Sequence, residues 1–344
     1  MKKISLMSLT SILVASTLSL SAASLVQEAK DAGLAPLPKN QNEVDNYLSE
    51  IGVSFSPFSV AKAELGKKLY FEPRLSKSGL ISCNTCHNLG LGGSDGIAAA
   101  VGHKWTANPA HLNSPTVYNS VLNSAQFWDG RSKNLVEQAK GPIQAEPEMA
   151  TPAKLAVSKI ASLPEYVEEF KKVYGSKGVT FDNIADAIAN FERTLITPSR
   201  FDKFLEGDEG ALTSKEKEGL KVFLDKGCVA CHNGINLGGT MQPFQVAGQY
   251  KFSSLGGFKG DENGMVKAPT LRNITETAPY FHNGALWSLQ DAIKEMGSVQ
   301  LGIEISNKEA QAIETFFNSL KGDKPTITYP QFPRATQKTP KPEL

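Results

Sequence analysis

An excess of charge of either sign is missing from this sequence: 36 Lys and Arg stand against 35 Asp and Glu, a formal net charge of +1. That balance argues against a nucleic-acid binder, which carries a clear basic excess. Long apolar runs are missing too. Beyond the N-terminal segment, nothing is long and apolar enough to span a bilayer. No βαβ pattern and no convincing sheet is evident, so a thioredoxin-type redox pair has no scaffold. Cysteine is scarce, with four residues in the chain. All four fall in two copies of one pattern, CNTCH (Cys83 to His87) and CVACH (Cys228 to His232).

What is present begins with a leader. Lys2 and Lys3 precede an apolar, Ser-rich run to Leu20, followed by Ser21-Ala22-Ala23. This order of charge, apolar run and small residues reads as a cleaved signal peptide over 1–23 rather than a membrane anchor. Cleavage after Ala23 removes two lysines and no acids, taking the net charge from +1 to −1. The mature protein is then exported, without an anchor. Its 344-residue precursor is long enough for two domains.

Export makes disulfides the default use of cysteine, but the pattern argues otherwise. On a helical turn, residues i, i+3 and i+4 share a face. Two thiols so placed reach the two vinyl groups of a haem, and the histidine reaches its iron from the same side. Cys-x-x-Cys-His is the attachment signal of c-type haem. A zinc site combining both motifs, or disulfides across them, are the competing readings. Each haem iron also has a far side. His103, His111, His282, Met149, Met241, Met265 and Met296 are the candidates for it. A thioether there raises the potential, whereas an open position admits peroxide or oxygen.

The surroundings of the two motifs echo each other. ELGKKLYFEPRLSKSGLISCNTCHNLGLGG is matched by EGLKVFLDKGCVACHNGINLGG, which reads as a weak duplication of a haem-binding helical domain. Phe181, Ile184, Ile188, Phe191 and Leu195 mark one face of a helix, read as core. Thr213 with Glu216, and Ser306 with Glu309, are capping boxes that start helices. Ile313, Phe316, Phe317 and Leu320 follow the second, and Gly322 stops it. Pro198 and the stretch EGDEGALT mark the domain link. The Gly-rich stretch 236–267 reads mostly as loop. The Pro-rich end from Lys324 reads as an extended tail, wrapped over the surface or disordered. The expectation is an all-α protein with long loops, its domains at 24–198 and 199–323 and its tail at 324–344.

From about Val60 to Gly322 the chain resembles the bacterial di-haem cytochrome c peroxidases. The segments CNTCH, GHKW, NSPTVYNS, QFWDGR, EQAKGPIQAEPEM, CVACHNG, APTLRN, APYFHNGALWSLQDAI and MGSVQLG carry the resemblance, in the family's order. It implies two cytochrome c-like domains with one covalently bound haem c each, through Cys83, Cys86, Cys228 and Cys231. The N-terminal haem is the low-potential peroxide site, with His87 proximal and His103 as a displaceable distal ligand. The C-terminal haem is the high-potential electron entry, with His232 proximal and Met296 axial. Glu148 matches the catalytic glutamate, with Glu146 as fallback, and Gln138 its companion. Trp128 matches the tryptophan between the haems. A calcium ion is implied between the domains, on the Asn113 side chain and the carbonyls of Thr277 and Pro279. His282 and Arg272 are read as supporting the haem environment, through propionates. The additional acid Glu146 is expected to raise the pKa of Glu148 by repulsion.

The implied reaction is reduction of hydrogen peroxide to water with electrons from a small periplasmic mono-haem cytochrome c or a cupredoxin, in a homodimer. Two rivals remain. One is the related branch that oxidises protein tryptophans, in which a tyrosine replaces the axial methionine. The other is a di-haem electron carrier, which has no need of the QFWDGR to EPEM apparatus.

Overall fold

In each half of the molecule a helix leading to a CxxCH motif crosses a later helix at a glycine. A computed structural model describes residues 24–343; the leader lies outside them. The helices of the first half are α1 (Leu25–Asp31), α2 (Gln41–Glu50), α3 (Val60–Tyr70), α4 (Cys83–Cys86), α5 (Leu135–Gln144), α6 (Ala153–Ala161), α7 (Pro164–Tyr174) and α8 (Phe181–Glu192). Those of the second are α9 (Arg200–Leu205), α10 (Ser214–Asp225), α11 (Leu289–Met296) and α12 (Asn307–Phe317). A β-carbon on Gly66 of α3 would stand 1.8 Å from the Ala187 carbonyl oxygen of α8. One on Gly219 of α10 would stand 2.0 Å from that of Ala312 in α12. Only hydrogen fits between backbones this close, so the two glycines define the same helix crossing in both halves.

The architecture is mostly helical, as the periodicities imply. Ile184, Ile188, Phe191 and Leu195 are buried in the first core beside Tyr70, Tyr166 and Phe170. The second core is built on Phe201, Phe204, Phe223 and Phe316. Both capping boxes form, and each satisfies N–H groups that a helix start leaves unpaired. The Gly-rich stretch differs in one respect from a plain loop. It contains an antiparallel ribbon of β1 (Met241–Pro243) and β2 (Met265–Lys267), with Met241 opposite Lys267. Three residues a strand is too short to leave a strong alternation in the sequence.

Each core closes on a buried carboxylate. Glu72, with no exposure, accepts from Arg74 Nε at 2.6 Å and from the Tyr166 hydroxyl at 3.0 Å. Asp202 pairs with the fully buried Arg272 at 2.9 Å and accepts the Leu37 N–H at 2.8 Å.

The chain ends exchange sides. Val26, Ala29 and Leu34, early in the chain, belong to the second core. The tail does the reverse: Ile327 and Phe332 lie on the first core. Arg74 Nη1 holds the Pro333 carbonyl at 2.8 Å, and the Glu343 N–H donates to the Lys77 carbonyl at 3.0 Å. The tail is therefore wrapped rather than loose. A third cluster, with Leu37, Val44 and Leu48 against Val121, Leu122 and Ile235, joins the halves.

Candidate active site

Each CxxCH motif lines its own cavity. In the first, α4 starts at a Ser82–Thr85 capping box and carries Cys83 and Cys86 into the wall. His87 follows, with Nδ1 2.9 Å from the Pro115 carbonyl. A carbonyl only accepts, so Nδ1 carries the proton and Nε2 keeps its lone pair for a ligand. Burial lowers the His87 pKa, favouring the neutral ring such a ligand needs. The opposite wall is one face of α5, with Leu135, Gln138, Pro142 and Ile143. The turn after α5 adds the half-buried Glu148. Burial raises its pKa, against the pull of Arg131. Glu146 points to solvent and plays no part in that shift. The expected repulsion between the two acids is thus replaced by desolvation.

His103 is buried, its backbone N–H donating to the Glu148 carbonyl at 2.7 Å, but it is not among the residues that line the cavity. Its Nδ1 is buried without a partner. Gly102 lets this loop lie on the next one, since a β-carbon there would be 2.1 Å from the Pro147 carbonyl oxygen. Lys104 and Trp105 follow in the left-handed region, at φ 59° and 54°, which costs a non-glycine residue strain. Asn113, Thr277 and Pro279 do line the first cavity. The Asn113 amide donates to the Ile97 carbonyl at 2.8 Å, which turns its Oδ1 into the acceptor left over.

The second cavity is walled by Cys228, Cys231, His232 and Met296 with a largely apolar remainder. His232 repeats the tautomer of His87, with Nδ1 3.2 Å from the Leu237 carbonyl. Met296 ends α11 where the helix widens into a π-turn over Gly297–Leu301, which brings Gln300 to the same wall. Irregularities of this kind often mark functional positions. His282 also lines it. Burial pushes its pKa down to about 4, and its Nε2 has no partner. Trp128 lines both cavities. Its Nε1 donates to the Asn113 carbonyl at 2.9 Å, and its own carbonyl accepts the Lys267 N–H at 2.7 Å.

A haem fits these walls: two half-buried thiols, an imidazole with a free Nε2 and an apolar surround in each cavity. Burial pushes the thiol pKa of Cys86 up to about 12 and of Cys228 up to about 11, so neither is poised as a thiolate. The two motifs face different cavities, and among the described residues no three His, Cys, Asp or Glu side chains gather as a metal cluster. The single zinc site is thereby set aside.

Known proteins agree with this geometry. The di-haem cytochrome c peroxidase family matches residues 60–210, and the cytochrome c family matches residues 216–321. A cytochrome c551 peroxidase of Pseudomonas aeruginosa is 44% identical over 99% of both chains. That of Nitrosomonas europaea is 48% identical over 83% of this chain and 87% of its own. The chain belongs to the di-haem cytochrome c peroxidase family.

As a member it is an enzyme, a cytochrome c peroxidase that holds two haem c groups, takes hydrogen peroxide as substrate and draws on a cytochrome donor. A methylamine utilization protein MauG of Methylorubrum extorquens is also similar, at 34% identity over 81% of this chain and 83% of its own. The crystal structure of a MauG-like protein associated with microbial copper homeostasis shares the fold, with a TM-score of 0.67 at 24% identity, over 84% of this chain and 93% of that one.

The peroxidase structure corrects a further sequence expectation and adds two residues. Arg272 lies outside both walls; Asp202 and the carbonyls of Ile235 and Ala35 occupy its guanidinium. It is a keystone of the second core rather than a propionate partner. Glu192, at the end of α8, lines the first cavity with Oε2 unpartnered, and burial raises its pKa to about 8. Lys267 lines both cavities. A signal was available for Lys267, a lone charge inside the apolar run MVKAP; Glu192 stands beside Arg193 in FERTL and carried none.

Proposed function

We propose that the first cavity reduces hydrogen peroxide and that the second haem receives the electrons and relays them. The observation that carries this is an asymmetry of protons. Glu148, Glu192 and the amide of Gln138 line the first cavity, whereas the second has no Asp or Glu in its wall. A haem with one open side supplies the redox chemistry that cleaves the O–O bond. Thioethers at Cys83, Cys86, Cys228 and Cys231 hold the two groups, with His87 and His232 as proximal ligands. Gln138 orients peroxide. Glu148 takes a proton from one peroxide oxygen and delivers it to the other, which leaves as water. Two electrons and two further protons complete the second water. A carboxyl whose pKa burial has raised suits both halves of that proton exchange. Trp128, in contact with both cavities, carries the electron between them.

Met296, in the wall of the second cavity, would hold the second haem through its thioether, which would keep that potential high. His103 would be the displaceable ligand of the first. Support for displacement comes from its position outside the cavity wall and from the strained Lys104–Trp105 turn beside it, a store of energy for a loop with two settings. Asn113, Thr277 and Pro279 supply oxygen ligands for a calcium ion that steadies the domain boundary. The enzyme works in the periplasm, as a homodimer, after loss of its leader. Its donor is a small mono-haem cytochrome c or a cupredoxin.

The test is peroxide turnover with a reduced small cytochrome c, begun from the fully oxidised enzyme and from the ascorbate half-reduced enzyme. Activity only after half-reduction is expected. Equal activity in both removes the His103 gate but keeps the peroxidase. No activity in either, with both haems loaded, overturns the assignment.

A further inference from the structure

Lys267 is a buried lysine without an assigned purpose. It is 5% exposed, and its ammonium makes no hydrogen bond or ion pair to any described residue. An unpaired buried cation is costly to a fold, so one that persists has an anion to meet that the polypeptide does not provide. The one acid whose charge acts on it, Asp129, is occupied by Arg131 Nη1, at 2.8 and 2.9 Å from the two carboxylate oxygens. Arg131 in turn stacks on Phe127 at 3.5 Å and is itself exposed. Lys267 is therefore the one buried, unpaired Lys or Arg in the wall of either cavity among the described residues, and in the second wall it is the only Lys or Arg.

Its position is fixed from two sides. Its N–H is tied to the Trp128 carbonyl at 2.7 Å, and β2 holds it opposite Met241. Met241 in turn abuts Gly130, where a β-carbon would stand 2.5 Å from its sulfur. The lysine, at the end of β2, thus lies against the turn that carries the tryptophan, and both residues line both cavities.

We propose that Lys267 is a cation shared by both haems, pairing with the carboxylate side groups that each haem brings into its cavity, and so setting the two potentials together. This rests on the assignment of one haem to each cavity. A positive charge beside a haem favours the reduced form, which carries one positive charge fewer. One ammonium serving both haems raises both potentials and largely preserves the gap between them. Lys267 is in this sense a positioning and tuning residue, not a catalytic one.

The experiment is a spectroelectrochemical titration of both haems in the full-length holoenzyme, for the wild type, K267M, K267Q and K267R. Haem content is measured in each. Expected are a fall of both midpoint potentials in the two neutral variants, a gap that changes less than either potential, and recovery in K267R. A shift of one haem alone, or of neither, with both haems loaded, overturns the inference. A wild type without two haems overturns instead the cofactor assignment beneath it. If the neutral variants fail to load haem, the wild-type titration is repeated from neutral to alkaline pH. A coincident fall of both potentials supports sharing, and separate steps or a single shift refute it.

Discussion

The two halves of this peroxidase are alike in how they hold a haem and unlike in what they place around it. Gly66 against Ala187 and Gly219 against Ala312 set the same helix crossing. His87 and His232 are oriented by the same kind of carbonyl bond. Yet the carboxyls of Glu148 and Glu192 face the first cavity alone, and the Met296 thioether and the His282 ring face the second alone. The scaffold thus specifies the cofactor, and a handful of wall residues specifies the chemistry. Carboxyl groups line one wall and are absent from the other, the difference on which the proposed division between a peroxide site and an electron site rests.

The comparison breaks most sharply at Glu148. E148Q keeps the shape and removes the proposed proton carrier. Peroxide turnover is expected to fall about 10²- to 10⁴-fold, with both haem spectra retained. The same variant should be more stable than wild type at neutral pH. Burial raises this carboxyl's folded pKa, so ionising it opposes folding as pH rises through that pKa. Thermal unfolding of both proteins at pH 5 and pH 8 tests the sign: the advantage of E148Q should grow at the higher pH.

Next in size is Asp202, on which the second core closes. Burial opposes its charge, but Arg272 and the Leu37 and Ser199 donors outweigh that and hold its pKa below the usual range. D202N leaves Arg272 buried without its counter-charge, and a loss of about 3–5 kcal/mol is expected. Denaturant unfolding should show it, with the second haem's absorption lost before the first's. The pair's contribution is present above the ordinary carboxylate pKa and is lost as pH falls through the depressed one.

The glycine crossings sharpen the likeness. G66A and G219A each force a β-carbon into a backbone carbonyl, with about 1–3 kcal/mol of overpacking expected in either half. Equal losses by denaturant titration would establish the two crossings as equivalent; a loss confined to one would show that only that half depends on it. The smallest effect concerns the tail. Ending the chain at Asp323 removes the cover that Ile327 and Phe332 give the first core, at a cost of about 2 kcal/mol. The first haem's environment should loosen while the second's midpoint potential stays as it was.

Much of this was legible in residues close together in sequence. The CxxCH motifs, the two capping boxes and the stripe on α8 need only a few consecutive turns of chain to be read, and the helical architecture followed from them. What escaped depends on distant partners. A glycine in a helix reads as a weak point until Ala187 or Ala312 is found against it. Arg272 sits in a motif associated with haem, but Asp202, on α9, takes its guanidinium. The raised pKa of Glu148 was anticipated, though from the neighbouring acid. Sequence proximity suggested Glu146, whereas the cause is burial among residues far along the chain. Lys267 could be seen as an odd charge, but not as one lying between two cavities.

The exchange of chain ends bears on the order in which the molecule can be made. A chain synthesised from its N-terminus tends to fold its first domain first. Here α1 emerges early, but its partners Phe204 and Phe223 come only with the second half. The first domain likewise waits for Ile327 and Phe332 at the far end before its last apolar face is covered. Neither half is finished until the other is, so a haem entering the first cavity by the proposed attachment to Cys83 and Cys86 would meet a domain still open on one side.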